Sequence, residues 1–355
     1  MNAPFFLSTA TIRLADLGDG RECARLEDFV AARPDGTVFH RPAWLGAVER
    51  GTGQRALGLV AEQGADIAGW LPLTEVHSPL FGRALASSGF AVGGGVLARQ
   101  DAIALRLASA AQELALRRSC VAVELRGGVI PWHWSQRADG HCGFIAPLAA
   151  DDEAQLLSIP RKQRAEVRKG LAEELTVHVG SGEADRAGHY AVYAESVRNL
   201  GTPVFPRRLF DAVLDAFGTA ADILTVRHRG LPVASVLSLY HGGAVLPYWG
   251  GGTQAARMLR ANDRMYYELM VHARRAGCDR FDFGRSRTGS GPYNFKRNWG
   301  FDPQPLTYGT WTPPGAPARD TDPASDAHAA RIALWKRLPL ALANRLGPPI
   351  ARGLG

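Results

Sequence analysis

One order of elements occurs twice along this chain, and that repetition constrains the fold more than any other feature. The block T-V-F-H-R-P-A-W-L-G-A-V, Thr37 to Val48, has a counterpart in T-P-V-F-P-R-R-L-F-D-A-V, Thr202 to Val213. Each joins an extended entry to a short amphipathic helix. A hairpin pattern follows in both halves. Leu57 to Ala61 and Ile67 to Leu73 flank Gly-Ala-Asp, while Ile223 to Val226 and Val233 to Leu239 flank Arg229-Gly230. An apolar strand then enters Gly93-Gly94-Gly95 in the first half and Gly250-Gly251-Gly252 in the second. A helix comes next, near Ile103 to Arg117 and Asn262 to Arg275. A strand closes each copy, at Cys120 to Leu125 and Cys278 to Phe283. Mixed strands with a crossover helix predict an α/β fold with mixed β-sheets flanked by helices. The expected domains are residues 1–155 and 156–314, followed by a tail at 315–355.

The 355 residues suit two domains of ordinary size. Hydrophobic residues at 46% and charged residues at 21% exclude a disordered or fibrous chain. Lys plus Arg outnumber Asp plus Glu by 41 to 34, a net charge of +7, which points to an anionic partner without choosing among phosphate, nucleic acid and membrane. The scattered Cys23, Cys120, Cys142 and Cys278 form neither a disulfide framework nor a zinc pattern, so no metal is expected. Met1 to Leu14 lacks the basic and apolar regions of a signal peptide, and no apolar run reaches roughly 18 residues. The expected location is cytoplasmic. Oligomeric state leaves no mark in the sequence.

Two basic segments stand apart. Ile159 to Gly170 carries Arg161, Lys162, Arg164, Arg168 and Lys169 partly at helical spacing, either as a solvated face or as the wall of an anion site. After Trp311 a Pro- and Asp-rich stretch reads as linker. Ala330 to Leu346 then forms a basic amphipathic helix interrupted at Pro339. That helix either docks back on the protein or lies on an anionic membrane surface, giving a peripheral membrane contact.

Several motifs fail on context. Asp282-Phe283-Gly284 matches a kinase tripeptide, but no H-R-D loop precedes it. Gly250 to Ala255 fits a loose dinucleotide fingerprint, yet no acidic ribose ligand follows at the right distance. No G-x-S-x-G, H-E-x-x-H or G-K-S/T is present.

The polar and aromatic clusters gather in the second half. Tyr193 to Phe205 ends a helix near Arg198-Asn199, with Gly201 taking the closing turn and Arg198, Asn199 and Thr202 presented at a loop. Tyr248 and Trp249 precede the glycines, where a ligand could approach the backbone closely. Asn262 is an N-cap candidate, beneath amides suited to phosphate. Asp282 to Phe301 sets Arg285, Ser286, Arg287, Tyr293, Lys296 and Arg297 among Gly284, Gly289 and Gly291, interleaved with Phe295, Trp299 and Phe301. A glycine-rich loop with fixed cations suits binding and charge stabilisation. Each cluster also has a purely structural explanation, as cap, core or basic rim.

In combination, S-x-x-N-L-G-T-P, D-F-G-R-S and N-F-K-R-N-W-G-F resemble the Fem-related acyltransferases. They are closest to the subgroup found with exosortase (PEP-CTERM) and exopolysaccharide systems, and F-H-R-P-A-W, Phe39 to Trp44, also fits. The resemblance covers roughly residues 10 to 311. It implies two tandem GNAT-like domains and transfer of an acyl or aminoacyl group from acyl-CoA or aminoacyl-tRNA, with no covalently bound cofactor. The acceptor it implies is a small molecule or cell-envelope precursor. It also implies that Phe295 and Lys296 lie by the reacting centre, where the lysine stabilises developing negative charge, and that Arg198 meets an acceptor phosphate. Two departures leave the donor open. The GNAT pyrophosphate loop Q/R-x-x-G-x-G/A is not intact before Asn262, and the helical hairpin with which some Fem proteins reach tRNA is not evident.

The expected chemistry is attack by an amine or hydroxyl on an activated ester or thioester, with Lys296 and backbone amides holding the oxyanion. Asp282 is either a base or a structural partner for Arg285. Lys296 itself can act as a base near neutrality only if its pKa is strongly lowered. The rival readings are a non-catalytic module that binds a glycan or nucleotide sugar, and a nucleic-acid binder using the two basic segments.

Overall fold

Two large mixed sheets organise the chain, which a computed structural model describes for residues 10–78, 82–315 and 326–353. Contacts divide it into one unit of Met1–Arg137, Thr307–Asp320 and Gly353–Gly355, and a second of Ala138–Leu306 and Thr321–Arg352. These divisions fall before the 155 and 314 boundaries expected from the sequence. The reason is strand pairing: segments beyond each repeat complete the sheets.

The first unit runs β1 (Thr11–Leu14), α1 (Gly20–Ala31), α2 (Pro42–Thr52), β2 (Arg55–Gln63), β3 (Asp66–Ser78), β4 (Gly82–Ser87), β5 (Leu97–Ala98), α3 (Asp101–Arg117), β6 (Ala122–Arg126) and β7 (Ser135–Arg137). Its strand order is β1-β2-β3-β4-β6-β17-β7, where β17 is Tyr308–Trp311 and β5 pairs with β3. The β1 to β4 neighbours are antiparallel, and β4 and β6 are parallel, with Leu85 opposite Val123. The α3 side chains Ile103, Leu107, Ala111 and Ala115 recur every four residues, forming one helical face. They pack on Leu57, Leu71, Leu85 and Val123 of the sheet.

The second unit opens with β8 (His141–Gly143), β9 (Ile145–Pro147), α4 (Asp152–Ser158) and α5 (Arg161–Ala172). It continues with β10 (Leu175–Gly180), α6 (Glu183–Leu200), α7 (Arg207–Phe217), β11 (Ala221–His228), β12 (Leu231–His241), β13 (Ala244–Gly252), α8 (Gln254–Met258) and α9 (Ala261–Arg275). It ends with β14 (Arg280–Asp282), β15 (Ser286–Arg287), α10 (Gly291–Asn298) and β16 (Gln304–Pro305). The main sheet is β10-β11-β12-β13-β14-β9, and β15-β8-β16 form a small second one. The predicted hairpin closes at Arg229 and Gly230, both at positive φ (50° and 80°), the geometry that matches strand twist. Both units therefore share one order: strand, two helices, three antiparallel strands, crossover helix, parallel strand. The α/β architecture with mixed sheets expected from the repeat is the one observed.

The glycine triplets need correcting. Gly93 to Gly95 lie in a loop after β4, whereas Gly250 to Gly252 are the end of β13 itself. The two triplets are not structural equivalents. In β13 the missing side chains make room for helices. A Cβ on Gly251 would sit 2.2 Å from Ser196 Oγ and 2.6 Å from its Cβ, and one on Gly252 would sit 2.5 Å from Asn262 Oδ1. The F-H-R-P-A-W segment also has a packing role. Trp44 is fully buried, stacks edge-on against Phe39 and donates Nε1–H to the Gly89 carbonyl at 3.1 Å. The Trp70 indole in turn donates to the His40 carbonyl at 2.7 Å.

The tail expected from the sequence is two helices, α11 (Asp326–Arg337) and α12 (Leu340–Ala351), broken at Pro339. Most of the Pro- and Asp-rich linker lies outside the described residues. Both helices pack against α6, which is the docked alternative.

Gly251→Ala is expected to cost about 1–3 kcal/mol, because the clash involves the fixed Cβ of Ser196 rather than a mobile tip. Equilibrium urea unfolding should show a lower midpoint at unchanged slope.

Candidate active site

The parallel strand β14 delivers the chain to the most polar buried loop of the second unit. β14 pairs with β13 at only two positions, Ala244 with Arg280 and Val245 with Phe281. β13 then runs on to Gly252 without further register to it. Within β13, Tyr248 has no opposite residue, because the pairing jumps from Leu237–Trp249 to Ser238–Pro247. This bulge re-aims the strand beside the gap.

Past β14 the chain turns at Gly284, at φ 67°, and wraps the side chain of Lys296. Lys296 is 8% exposed, an unusual position for an ammonium. Its Nζ donates to the carbonyls of Gly284 at 3.1 Å and Arg285 at 3.0 Å. The rings of Phe144 and Phe283 lie 5.4 and 5.6 Å from it. Burial lowers its pKa from the ordinary 10.5 to about 8, against the opposing pull of Asp282. At pH 7 the group is therefore mostly a cation. Two of its three donor hydrogens are engaged by carbonyls, and the third has no hydrogen-bond acceptor among the described residues.

Asp282 closes the loop from within. Its Oδ1 accepts the Gly284 N–H at 2.9 Å, and burial raises its pKa. Ser286, next to Arg285, is 6% exposed, and its Oγ is buried without a hydrogen-bond partner. α10 begins at Ser290, whose hydroxyl accepts the Tyr293 N–H at 3.3 Å. Tyr293 meets Phe144 edge-on at 5.5 Å, and the Arg297 guanidinium stands 5.9 Å from the Tyr293 ring. Phe295 packs at 5.7 Å from Tyr266 and 6.1 Å from Trp299, a wall of the aromatic core. The structure thus brings Asp282, Arg285, Ser286, Tyr293, Phe295 and Lys296 into one loop and helix.

Tyr266 extends this group to the start of α9, since Asn262 precedes it by one helical turn. Asn262 is not the N-cap that the sequence suggested. Arg260, in the left-handed region at φ 50°, ends the preceding turn and opens α9, so Asn262 is inside the first turn. Its Oδ1 is buried and unpartnered, beside Gly252. The amide of Gln254, at the start of the short α8, is taken by the Glu195 carboxylate at 2.9 Å.

The remaining candidates lie elsewhere. Trp249 packs on Phe210 at 4.7 Å and Tyr248 at 4.8 Å. Arg198 sits in the last turn of α6, which closes as predicted. Gly201 stands at φ 87°, its N–H bonds to the Arg198 carbonyl, and the Thr202 N–H bonds to that of Val197. Asn199 lies in the same turn. Arg198 Nη1 donates to the Lys336 carbonyl in α11 at 3.3 Å, so its contact among the described residues runs to the tail. In α5 the buried positions are Gln163, Val167 and Gly170, and Gln163 donates to Asp263 at 2.6 Å. Arg161, Lys162, Arg168 and Lys169 are the exposed face.

Sequence reasoning missed two polar groups. His189 is fully buried, bonded through Nδ1 to Ser235 Oγ at 3.0 Å and pushed down to about 3 by desolvation, so it is neutral. Asp222 joins Tyr240 at 2.9 Å and His272 at 3.0 Å beside a cavity of about 410 Å³. That cavity lies at the β13 and β14 starts, the end of the strands away from Lys296. Each group joins side chains far apart in sequence, and no local spacing signals them. Among the described residues no His, Cys, Asp and Glu cluster suits a metal ion.

Residues 160–297, within this second unit, match the acetyltransferase (GNAT) domain family. No curated protein matches the chain as a sequence relative. Solved structures do match as folds. FemX is 15% identical with a TM-score of 0.64, over 81% of this chain and 95% of FemX. The C-terminal domain of a putative lysylphosphatidylglycerol synthetase from Agrobacterium fabrum is 14% identical with a TM-score of 0.56, over 81% and 91%. A tandem GNAT protein from the clavulanic acid biosynthesis pathway is 11% identical with a TM-score of 0.55, over 85% and 98%. Residues 160–297 thus carry the match to a GNAT-type acetyltransferase domain, and the chain as a whole shares the fold of FemX and of a tandem GNAT protein, as the doubled element order of the sequence anticipated.

The depressed Lys296 pKa has a thermodynamic consequence. Below pH 8 the ammonium is charged in both folded and unfolded states, and its burial is penalised in full. Above pH 10.5 it is neutral in both. Folding stability should therefore rise between pH 8 and 10.5, by about 3 kcal/mol from this group. Lys296→Met should remove that rise when the two proteins are compared by urea unfolding across the window.

Proposed function

We propose that the second unit transfers an acyl or aminoacyl group from an activated ester or thioester to an amine or hydroxyl, with Lys296 stabilising the oxyanion. The observation that carries this reading is the buried Lys296 ammonium, held by two carbonyls with one donor hydrogen to spare. An ammonium already stripped of water needs little reorganisation when negative charge develops on a carbonyl oxygen. The acceptor's nucleophile forms a bond to the acyl carbon, the bond to the leaving oxygen or sulfur breaks, and the acceptor's proton passes to the leaving group. Asp282, Gly284 and Ser286 shape the loop, Phe295 fixes the α10 backbone that carries Lys296, and Tyr293 with Arg285 borders it. Arg198, Asn199, Thr202, Tyr248, Trp249 and Asn262 are proposed substrate contacts.

The donor is acyl-CoA or aminoacyl-tRNA. Both classes come from the motif resemblance, and the amide held by Glu195 is one that a pyrophosphate at that turn would need. The acceptor we propose is a cell-envelope or exopolysaccharide precursor, supported by the S-x-x-N-L-G-T-P and N-F-K-R-N-W-G-F segments. Mass spectrometry of ligand retained by purified protein separates CoA from tRNA.

Lys296→Ala should lower kcat by roughly 10²–10³-fold while leaving donor binding in place, measured at a temperature where the variant is folded. Unchanged turnover would exclude the proposed role. The wild-type kcat should fall as pH rises through about 8, because the acting form is the cation. A kcat that rises through the same pH would instead make neutral Lys296 the general base.

A further inference from the structure

The tail presents a face that the transfer chemistry does not use. In α12, Ala343, Gly347 and Ala351 are buried at four-residue spacing. A Cβ on Gly347 would lie 2.9 Å from the Val204 backbone nitrogen, so this stripe is seated tightly on the second unit. One position earlier runs a parallel stripe of Leu342, Leu346 and Ile350, exposed by 42%, 43% and 38%. One residue is about 100° of helical turn, so the two stripes face different surroundings. Leu334 in α11 adds a fourth apolar side chain, 66% exposed.

Apart from Asp326, the first residue of α11, the charges of these two helices have one sign. From Ala327 to Gly353 there is no Asp or Glu, whereas Arg331, Lys336, Arg337, Arg345 and Arg352 all fall in that stretch. Lys336, Arg337, Arg345 and Arg352 are exposed. No helix of the described residues is long and apolar enough to cross a bilayer.

We propose that α11 and α12 dock the protein flat on an anionic phospholipid surface, with Leu342, Leu346 and Ile350 entering the acyl boundary and the cations meeting headgroups. An apolar stripe alone would suit any hydrophobic partner. Its all-cationic border selects an anionic layer, since each cation near such a surface adds attraction that an uncharged layer does not supply. The two requirements that the sequence left as alternatives, docking on the protein and lying on a membrane, are met by adjacent faces of one helix. The same helices hold the end of α6, because Gly201 abuts Ile332 and Arg198 bonds to the Lys336 carbonyl. The docking does not depend on the transferase reading, and it can fail or stand without it.

The test is co-sedimentation of the full chain with phosphatidylcholine vesicles and with phosphatidylcholine–phosphatidylglycerol vesicles. The protein should partition onto the second kind alone, and less so as salt rises. The variant L342Q/L346Q/I350Q, and separately R337E/R345E, should each weaken partitioning at least about tenfold. Both change exposed side chains, so thermal melts and transfer to a soluble acceptor should stay as in the wild type. Failure of the wild type to bind phosphatidylglycerol vesicles overturns the proposal, as does full binding by either variant. A wild-type dimer converted to monomer by L342Q/L346Q/I350Q would assign the stripe to a second copy and overturn it as well.

Discussion

A parallel strand pair cannot be closed by a tight turn, and most of the second unit follows from that restriction. The chain leaves β13, crosses the sheet through α9 and returns as β14. The crossover helix must bury one face, which Met265, Leu269 and Ala273 do against the sheet core with Val236, Val245 and Phe281. Its other consequences are positional. It sets Asn262 beside the glycine end of β13, Tyr266 against Phe295, and the Lys296 loop directly beyond β14. The first unit obeys the same rule through α3, β4 and β6, without an equivalent buried cation among its described residues.

The Lys296 loop places an unfavourable group where apolar burial would be more stable. The ammonium is surrounded by Phe144 and Phe283 and held by neutral carbonyls rather than by a direct carboxylate ion pair. A bonded carboxylate would raise the lysine pKa and satisfy its charge. Two carbonyls satisfy its geometry and leave the charge available. Asp282 is near enough to oppose the desolvation, yet its own Oδ1 is turned to the Gly284 amide. In the transfer reaction proposed above, this division between a positioned cation and an internally occupied carboxylate is what would suit the loop to developing negative charge.

Much of this organisation was legible in local pattern. Alternation with Arg229-Gly230 between runs located the β11–β12 hairpin, and Gly201 located the end of α6, because both depend on backbone conformations that few residues adopt. The repeat order anticipated the tandem architecture. The Asp282 to Phe301 segment stood out because cations, glycines and aromatics rarely alternate in a plain surface loop. The equivalence of the glycine triplets and the cap at Asn262 were misread. Glycine marks close approach without saying of what, and in β13 the approaching groups are Ser196 and Asn262, distant in sequence. Arg260 adopts the left-handed conformation that opens α9 without being glycine or asparagine, so residue type did not signal the boundary.

The sequence by itself determined the alternation, the turns and the doubled element order, since these are local consequences of side-chain period and backbone freedom. Tertiary structure alone decided the rest. It sent β8 and β9 into the second unit and β17 into the first, because unpaired sheet edges take whichever strand can reach them. It seated α12 by one stripe and left the neighbouring stripe exposed. It also gave Lys296 its depressed pKa, since desolvation belongs to the packed surroundings of a residue and not to its place in the chain.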